Sequence, residues 1–256
     1  MGIEMATVGL VVTTKNAAAT LPRCLSSASF CDEIVVVDSG SDDGTVDVAR
    51  RFGAKVFVRD YRNAAEQKNW ALQHMRSDWV LVLDSDEWLS DEAAQAVRRV
   101  VAANKAYAYR IRRVSRFLGR VVRYAWRHDY PLRLFPRGSG RWESRRVHAD
   151  FLTHLPVRRL ETPLFHDVAE TLSAYLPRWL RHIEMAAEDL AERGGGSVLK
   201  GVLSAWWRLL RQYVFQCGWL DGRAGFYVAL LSAGSVLLRH MLARDIRAAG
   251  SSALPD

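Results

Sequence analysis

The chain has little cysteine, little lysine and no glycine-rich phosphate loop behind its first apolar run, and each shortage excludes a class. Cys24, Cys31 and Cys217 are the three cysteines in 256 residues, and their spacing matches no metal-ligand pattern. That excludes a zinc module and predicts free thiols in a reducing compartment. The first apolar run, Val8 to Thr13, leads into Thr14-Lys15-Asn16. A dinucleotide-binding turn would need G-x-G-x-x-G there. The N-terminus lacks a basic stretch followed by an apolar core, so no secretory leader is expected and cytoplasmic residence is. The uncharged run Ala224 to Leu238 is 15 residues long, short of the roughly 20 that cross a bilayer. Peripheral or in-plane attachment is therefore expected in preference to a span.

What is present describes a folded, basic protein. Apolar residues make up 49% and charged residues 25% of the chain, enough for one large domain or a domain with an appendage. The net charge is +8, and only five of the 36 basic residues are lysine. Arginine's planar fork suits phosphate groups. Such a balance points to nucleic acid, an anionic membrane or a phosphorylated substrate, and the location of the charge must decide between them.

The first half alternates strand and helix patterns. Strands are expected at Val8–Thr13, Ile34–Val37, Lys55–Val58 and Trp79–Leu83. Helices are expected at Ala17–Ala28, at a segment capped near Ser41 or Asp42 with Val46, Val48, Ala49 and Phe52 inward, at Glu66–Met75 and at Asp91–Asn104. This alternation implies right-handed βαβ units and a mostly parallel sheet. Tyr107 to Arg112 alternates like a half-buried strand, and aromatic and basic residues dominate from there to Phe135. Helical spacing returns from Thr171 to Arg193, before the joint Gly194-Gly195-Gly196. In Ser197–Gln216, Lys200, Ser204, Arg208, Arg211 and Gln212 share one narrow face, and Leu199, Leu203, Trp206, Trp207, Leu210 and Val214 cover much of the rest. This helix either lies at a membrane interface or packs on the N-terminal domain.

Two of the expected strands end in carboxylates. Asp84-Ser85-Asp86-Glu87 follows Trp79–Leu83 directly, and Asp38 follows Ile34–Val37. In parallel α/β sheets ligands bind outside the carboxyl ends of the strands. Carboxylates two residues apart at such an edge suit Mg²⁺ or Mn²⁺, hard ions that take oxygen ligands and substrate phosphates.

These segments occur in a familiar order. Val12-Thr13-Thr14-Lys15-Asn16, Asp38 to Thr45, Gln67-Lys68-Asn69 and Asp84 to Glu87 resemble family 2 glycosyltransferases of the GT-A fold. Asp129 to Phe135, Val147-His148, Pro163 to His166 and Gly218 to Gly222 resemble the WaaE/KdtX/LgtF group of lipopolysaccharide core β-glucosyltransferases. The resemblance implies an α/β fold, a Rossmann-like mostly parallel sheet flanked by helices, over residues 1–170. A nucleotide-sugar half of about 1–105 would precede an acceptor half of about 106–170, and 171–256 would form a helical, membrane-associating region. It implies that Asp38 accepts from the uracil N3–H, that Thr14 and Asn16 support the nucleoside, and that Lys68 lies near the nucleotide. Asp86 would ligate Mg²⁺ or Mn²⁺, Asp84 would lie close to the ribose or the metal, and His148 would complete the metal shell; His166 is a weaker candidate. Asp129 is the preferred base for the acceptor hydroxyl and Asp150 the runner-up, because Val147-His148-Ala149-Asp150 departs from the group's Val-His-Glu. Arg133, Arg137, Arg141, Arg145 and Arg146 either hold phosphate of an inner-core acceptor or form a solvated basic face.

The implied reaction is inverting transfer of a hexose, glucose first, from a UDP-sugar to a lipopolysaccharide inner-core or similar lipid-linked saccharide. The implied place is the inner face of the bacterial cytoplasmic membrane, with an anionic membrane surface and no nucleic acid as partner. A polyprenyl-phosphate sugar transferase is the nearest alternative. A non-enzymatic basic membrane-binding protein is the alternative of another class.

Overall fold

The computed structural model describes residues 5–145 and 149–251. In chain order the elements are β1 (Val8–Thr14), α1 (Leu21–Ser27), β2 (Glu33–Asp38), α2 (Thr45–Arg51), β3 (Lys55–Val58), α3 (Ala64–Leu72), β4 (Trp79–Asp84), β5 (Glu87–Leu89) and α4 (Asp91–Ala103). There follow β6 (Ala108–Phe117), β7 (Arg120–Val122), β8 (Leu132–Pro136), β9 (Gly140–Trp142), β10 (Phe151–Thr153), β11 (Val157–Ala169), α5 (Leu172–Glu192), α6 (Val198–Leu210) and α7 (Gly222–Ser251). The chain divides into two units, Met1–Arg113 with His128–His166, and Val114–Arg127 with Asp167–Asp256. The expected boundary at 170 falls close to His166, but 114–127 belongs to the second unit. Its Phe117, Val122 and Ala125 share a core with Val168, Ala224 and Val228, a pairing that no local pattern announces.

In the first unit the apolar runs are covered on both faces, as parallel strands require. Leu10 and Val12 of β1 and Trp79, Leu81 and Leu83 of β4 point to one side, against Leu21, Leu25, Val48, Ala93 and Val97 of the helices. Val11, Val80 and Val82 point to the other, against Ala65, Ala71, Met75 and the aromatic pair Trp142 and Phe151. A Cβ on Gly9 would lie 2.1 Å from Met75 Cε and 3.0 Å from Ser77 Oγ, so a larger residue there requires the Met75 side chain to move. Helix α4 starts at Ser90, whose hydroxyl accepts from Ala93 N–H, and carries Asp91 and Glu92 in its first turn. It ends at Asn104 in the left-handed region, whose amide oxygen accepts from the buried Trp79 indole at 2.9 Å.

The strand order is β3-β2-β1-β4-β8-β6-β11-β5, with β7 beside β6. β3, β2, β1 and β4 run parallel. β8 is antiparallel to β4 and β6, and β5 to β11. The mostly parallel expectation thus holds for the first four strands. Beyond them helix α4 is, among the described residues, the one helix between strands and loops make the other connections, which suits antiparallel neighbours. One inward residue is corrected: Phe52 caps α2 and is exposed.

The second unit is mainly α5, α6 and α7. After α6 the helix widens into a π-turn over Arg211–Phe215, and a short 3₁₀ turn, Gly218–Asp221, leads into α7. This is the Gly218 to Gly222 segment, and its physics is structural. Both Asp221 oxygens accept backbone N–H groups, from Arg123, Tyr124 and Ala125, each at 2.9 Å. A Cβ on Gly225 would sit 1.9 Å from Gly218 O, so the turn closes onto α7 only over glycine. Asp221→Ala orphans three N–H donors and is expected to destabilise the second unit by about 1–3 kcal/mol, read as an earlier urea midpoint. An unchanged midpoint would refute the capping role.

Helix α7 is longer than its uncharged run. Among the described residues, Gly218–Ala249 is the one helical stretch long and apolar enough to cross a membrane. On α6 the small residues Gly201 and Ala205 face inward, while Leu199 is 70% and Trp206 61% exposed.

Candidate active site

Sheet register assembles the site. Thr14 pairs with Asp38 across β1 and β2, and Thr13 with Asp84 across β1 and β4. Three sequence-distant residues, Thr14, Asp38 and Asp84, therefore end neighbouring parallel strands at one carboxyl edge, the edge at which parallel α/β sheets bind ligands.

The loops after β1 and β2 are stitched together. Ser41 Oγ accepts from Asn16 N–H at 2.8 Å and donates to Asp38 Oδ2 at 2.5 Å. Asp38 Oδ1 accepts from Gly40 and Ser41 N–H at 3.0 and 2.8 Å. Asp38 is fully buried and caps the turn with three acceptor positions engaged. A carboxylate offers about four, so one acceptor position on Oδ2 remains beside the Ser41 hydroxyl. Asn16, at φ 49°, accepts from Asp42 N–H at 3.1 Å. Thr14 is buried, and its hydroxyl has no hydrogen-bond partner.

Each residue of Gln67-Lys68-Asn69 on α3 reaches a different element. Gln67 Nε2 donates to Ser39 Oγ at 3.1 Å, and Asn69 makes two bonds with the Trp142 backbone at 2.8 and 2.9 Å. Lys68 Nζ lies 2.8 Å from Asp84 Oδ1. These bonds fix α3 between the end of β2, the end of β4 and the β9–β10 hairpin.

The carboxylates after β4 are divided between two tasks. Asp84 Oδ2 meets Arg133 Nη2 at 2.5 Å, so both its oxygens are in ion pairs. Burial alone would raise its pKa, but Arg133 and Lys68 outweigh it and hold Asp84 well below the usual carboxylate range. Glu87 is fully buried and accepts from Arg133 Nη2 at 2.6 Å, Arg113 Nη1 at 2.9 Å and Asp84 N–H at 3.1 Å. Arg113 Nε then meets Asp129 Oδ2 at 2.7 Å. Lys68–Asp84–Arg133–Glu87–Arg113–Asp129 is one continuous chain of alternating charge, three cations against three carboxylates. Burial opposes both guanidinium charges, yet the acids around them raise both pKa values.

Asp86 is not among those carboxylates. Its Oδ2 lies 3.6 Å from His166 Nε2, on a strand whose register sets His166 opposite Glu87. His166 therefore stands where a metal-shell histidine was sought. His148, with Arg146 and Val147, lies outside the described residues. No group of three His, Cys, Asp or Glu side chains among the described residues is arranged for a metal. The donors fit a hard divalent ion in part: one carboxylate and one imidazole, with substrate phosphate oxygens needed to complete the shell.

Two further expectations change. Arg133 is 4% exposed and turned inward, so it belongs to the site's charge chain and not to a basic acceptor face. Of its supposed companions, Arg137 Nε donates to Ser77 O at 2.9 Å and Arg145 pairs with Glu143 at 3.0 Å. Asp129 is linked to the site through Arg113. Asp150 is exposed beside β10, with its N–H on Glu143 Oε1 at 3.0 Å. Sequence reasoning missed Glu87, Arg113 and Arg133 as a unit; the signal was a carboxylate at the third position after Asp84 with arginines on two later apolar strands.

The model of the family described as Glycosyl transferase family 2 matches residues 10–159, more than half of the chain and all of the elements just described up to the first residues of β11. The chain belongs to this family. Within it, the chain is 26% identical over 248 residues to the lipopolysaccharide core biosynthesis glycosyltransferase LpsC of Rhizobium meliloti, covering 89% of this chain and 90% of that one. It is 36% identical over 106 residues to an uncharacterized glycosyltransferase of Rickettsia felis, covering 41% of this chain and 38% of that protein's length. The chain thus spans well under half of that relative. A solved structure of glucosyl-3-phosphoglycerate synthase from Mycobacterium tuberculosis with Mn²⁺ and UDP-glucose shares 22% identity over 43% of this chain and 44% of that one. Its TM-score of 0.37 is too low to bear on the site. The match ends within β11, before helices α5, α6 and α7.

Proposed function

We propose that this family 2 chain transfers a hexose, glucose first, from a UDP-sugar to a hydroxyl of a lipid-linked saccharide at the inner face of the cytoplasmic membrane, with inversion. The observation that carries the reading is the edge where β1, β2 and β4 end: Asp86 beside His166, backed by a chain of ion pairs that neutralises Asp84, Glu87 and Asp129. The name of the Rhizobium meliloti relative supports a core saccharide as acceptor.

Asp86 and His166 would hold Mg²⁺ or Mn²⁺, which supplies neutralisation of the departing diphosphate. Lys68, buried beside Asp84, adds a fixed positive charge near that leaving group. Thr14 and Asn16 line the nucleoside side, and Asp38 takes the uracil N3–H at its remaining acceptor position. Asp129 takes the acceptor's proton through Oδ1, since Arg113 occupies Oδ2 and fixes the carboxylate plane. One displacement from the face opposite the diphosphate then turns an α-linked donor into a β-linked product.

A calorimetric panel of UDP-glucose, UDP-galactose, UDP and GDP-mannose, with and without Mn²⁺, tests the donor. Uridine nucleotides are expected to bind in the range of about 1 µM to 1 mM typical of enzyme substrates, more tightly with Mn²⁺. Equal binding of GDP-mannose, or no nucleotide binding, would contradict the reading. Mass spectrometry of products formed on a core oligosaccharide or on polyprenyl phosphate assigns the acceptor.

A further inference from the structure

On a helix of 3.6 residues per turn, α6 carries three stripes. Gly201 and Ala205 are buried, and Gly201 packs on His240 of α7, where a Cβ would come within 2.8 Å of His240 Cβ. Leu199, Val202, Leu203, Trp206 and Trp207 form an exposed apolar stripe. Phe215 and Trp219, 60% and 54% exposed, extend it through the π-turn and the 3₁₀ turn. Lys200, Arg208 and Arg211 occupy the flank between the buried and exposed stripes. A helix that packs against its own protein places its large apolar residues inward; here they face solvent.

The charge around this surface has one sign. From Arg193 to Arg244 there are seven Lys or Arg residues and one acid, Asp221. Asp221 is already occupied by three backbone N–H groups. None of Lys200, Arg208, Arg211 and Arg239 has a carboxylate within ion-pair distance among the described residues. Arg239 Nε and His240 Nδ1 are buried without a hydrogen-bond partner. Partial burial and the nearby Arg211 and Arg239 hold the Arg208 pKa below its ordinary value, and burial, Arg239 and Lys200 do the same to His240. Clustered cations of this kind are relieved by an external anion, not by the protein.

We propose that the α6–π-turn–α7 surface docks in the plane of an anionic lipid bilayer, with Trp206, Trp207, Phe215 and Trp219 among the upper acyl chains and Lys200, Arg208 and Arg211 on headgroup phosphates. Tryptophan at the interface and arginine on the polar flank are the chemistry such a surface selects. A second copy of the chain would present the same cations to one another and is disfavoured by charge. The inference deepens the proposed function and rests on it only for the lipid-linked acceptor; the surface is argued from the second unit alone.

Flotation of the full chain with phosphatidylcholine vesicles, with or without phosphatidylglycerol, tests it. Binding is expected only with phosphatidylglycerol and is lowered by salt. Trp206→Ser/Trp207→Ser is expected to weaken it about ten-fold or more. Arg208→Gln/Arg211→Gln is expected to weaken it about five-fold per arginine. Trp206, Trp207 and Arg211 are exposed and Arg208 is partly so, and unchanged thermal unfolding shows that the variants fold. Equal binding to both vesicle types would overturn the proposal. So would undiminished binding of both variants, which is what a bilayer-crossing α7 would give, or a dimer that the tryptophan substitutions dissociate while flotation stays the same. UDP-glucose titration without vesicles on the same samples separates failure of the surface from failure of the donor reading.

Discussion

Asp86→Ala is expected to lower transfer by about 10³-fold, the scale of losing several kcal/mol of charge stabilisation at a leaving group. The position explains the size. Asp86 follows the buried strand β4 by two residues and has an imidazole 3.6 Å away. Its neighbour in sequence, Asp84, is held between Lys68 and Arg133 and cannot substitute without breaking both pairs. The Asp86 side chain is 21% exposed and lies outside the Lys68-to-Asp129 chain. Truncating this mostly buried carboxylate is expected to lower stability by about 1 kcal/mol, well short of unfolding the chain. Turnover of UDP-glucose with Mn²⁺, measured beside a melting curve, checks both halves. Retained turnover would remove the metal role, and a collapsed melting curve would make Asp86 structural.

Arg133→Leu should do the reverse and damage the fold first. Arg133 is 4% exposed and one of its nitrogens meets both Asp84 and Glu87. Removing it leaves the fully buried Glu87 with Arg113 as its remaining cation and Asp84 with Lys68. Breaking a buried pair from one side costs about 3–5 kcal/mol, because the abandoned charge stays in low dielectric. A matching fall in unfolding free energy from urea titration is expected, together with loss of transfer. A loss below about 1 kcal/mol would mean that the pair is solvated, as exposed ion pairs are.

Much of this was legible in the sequence, and the limit is physical. The runs Val8–Thr13, Ile34–Val37 and Trp79–Leu83 are β-branched and apolar, and they fold as β1, β2 and β4 within a residue or two. Because strands in register end together, Thr14, Asp38 and Asp84 could be grouped before any coordinates. The charge chain could not, because Arg133 meets Asp84 across 49 positions and Arg113 meets Asp129 across 16. An arginine on an apolar strand reads equally as a surface cation until its partner is seen. Asp221 shows the same limit, since it holds Ala125 from 96 residues away. Helix α6 was ambiguous because its pattern allows either an inward or an outward apolar stripe, and only the buried glycine and alanine reveal which face packs.

The most direct measurement is a crystal structure with UDP-glucose and Mn²⁺ bound. The diphosphate is expected at the carboxyl edge of β1 and β4, with the ion on Asp86 and His166 and with Asp84 still paired to Lys68 and Arg133. A nucleotide bound away from Asp86, or an ion seated on other side chains, would contradict the account.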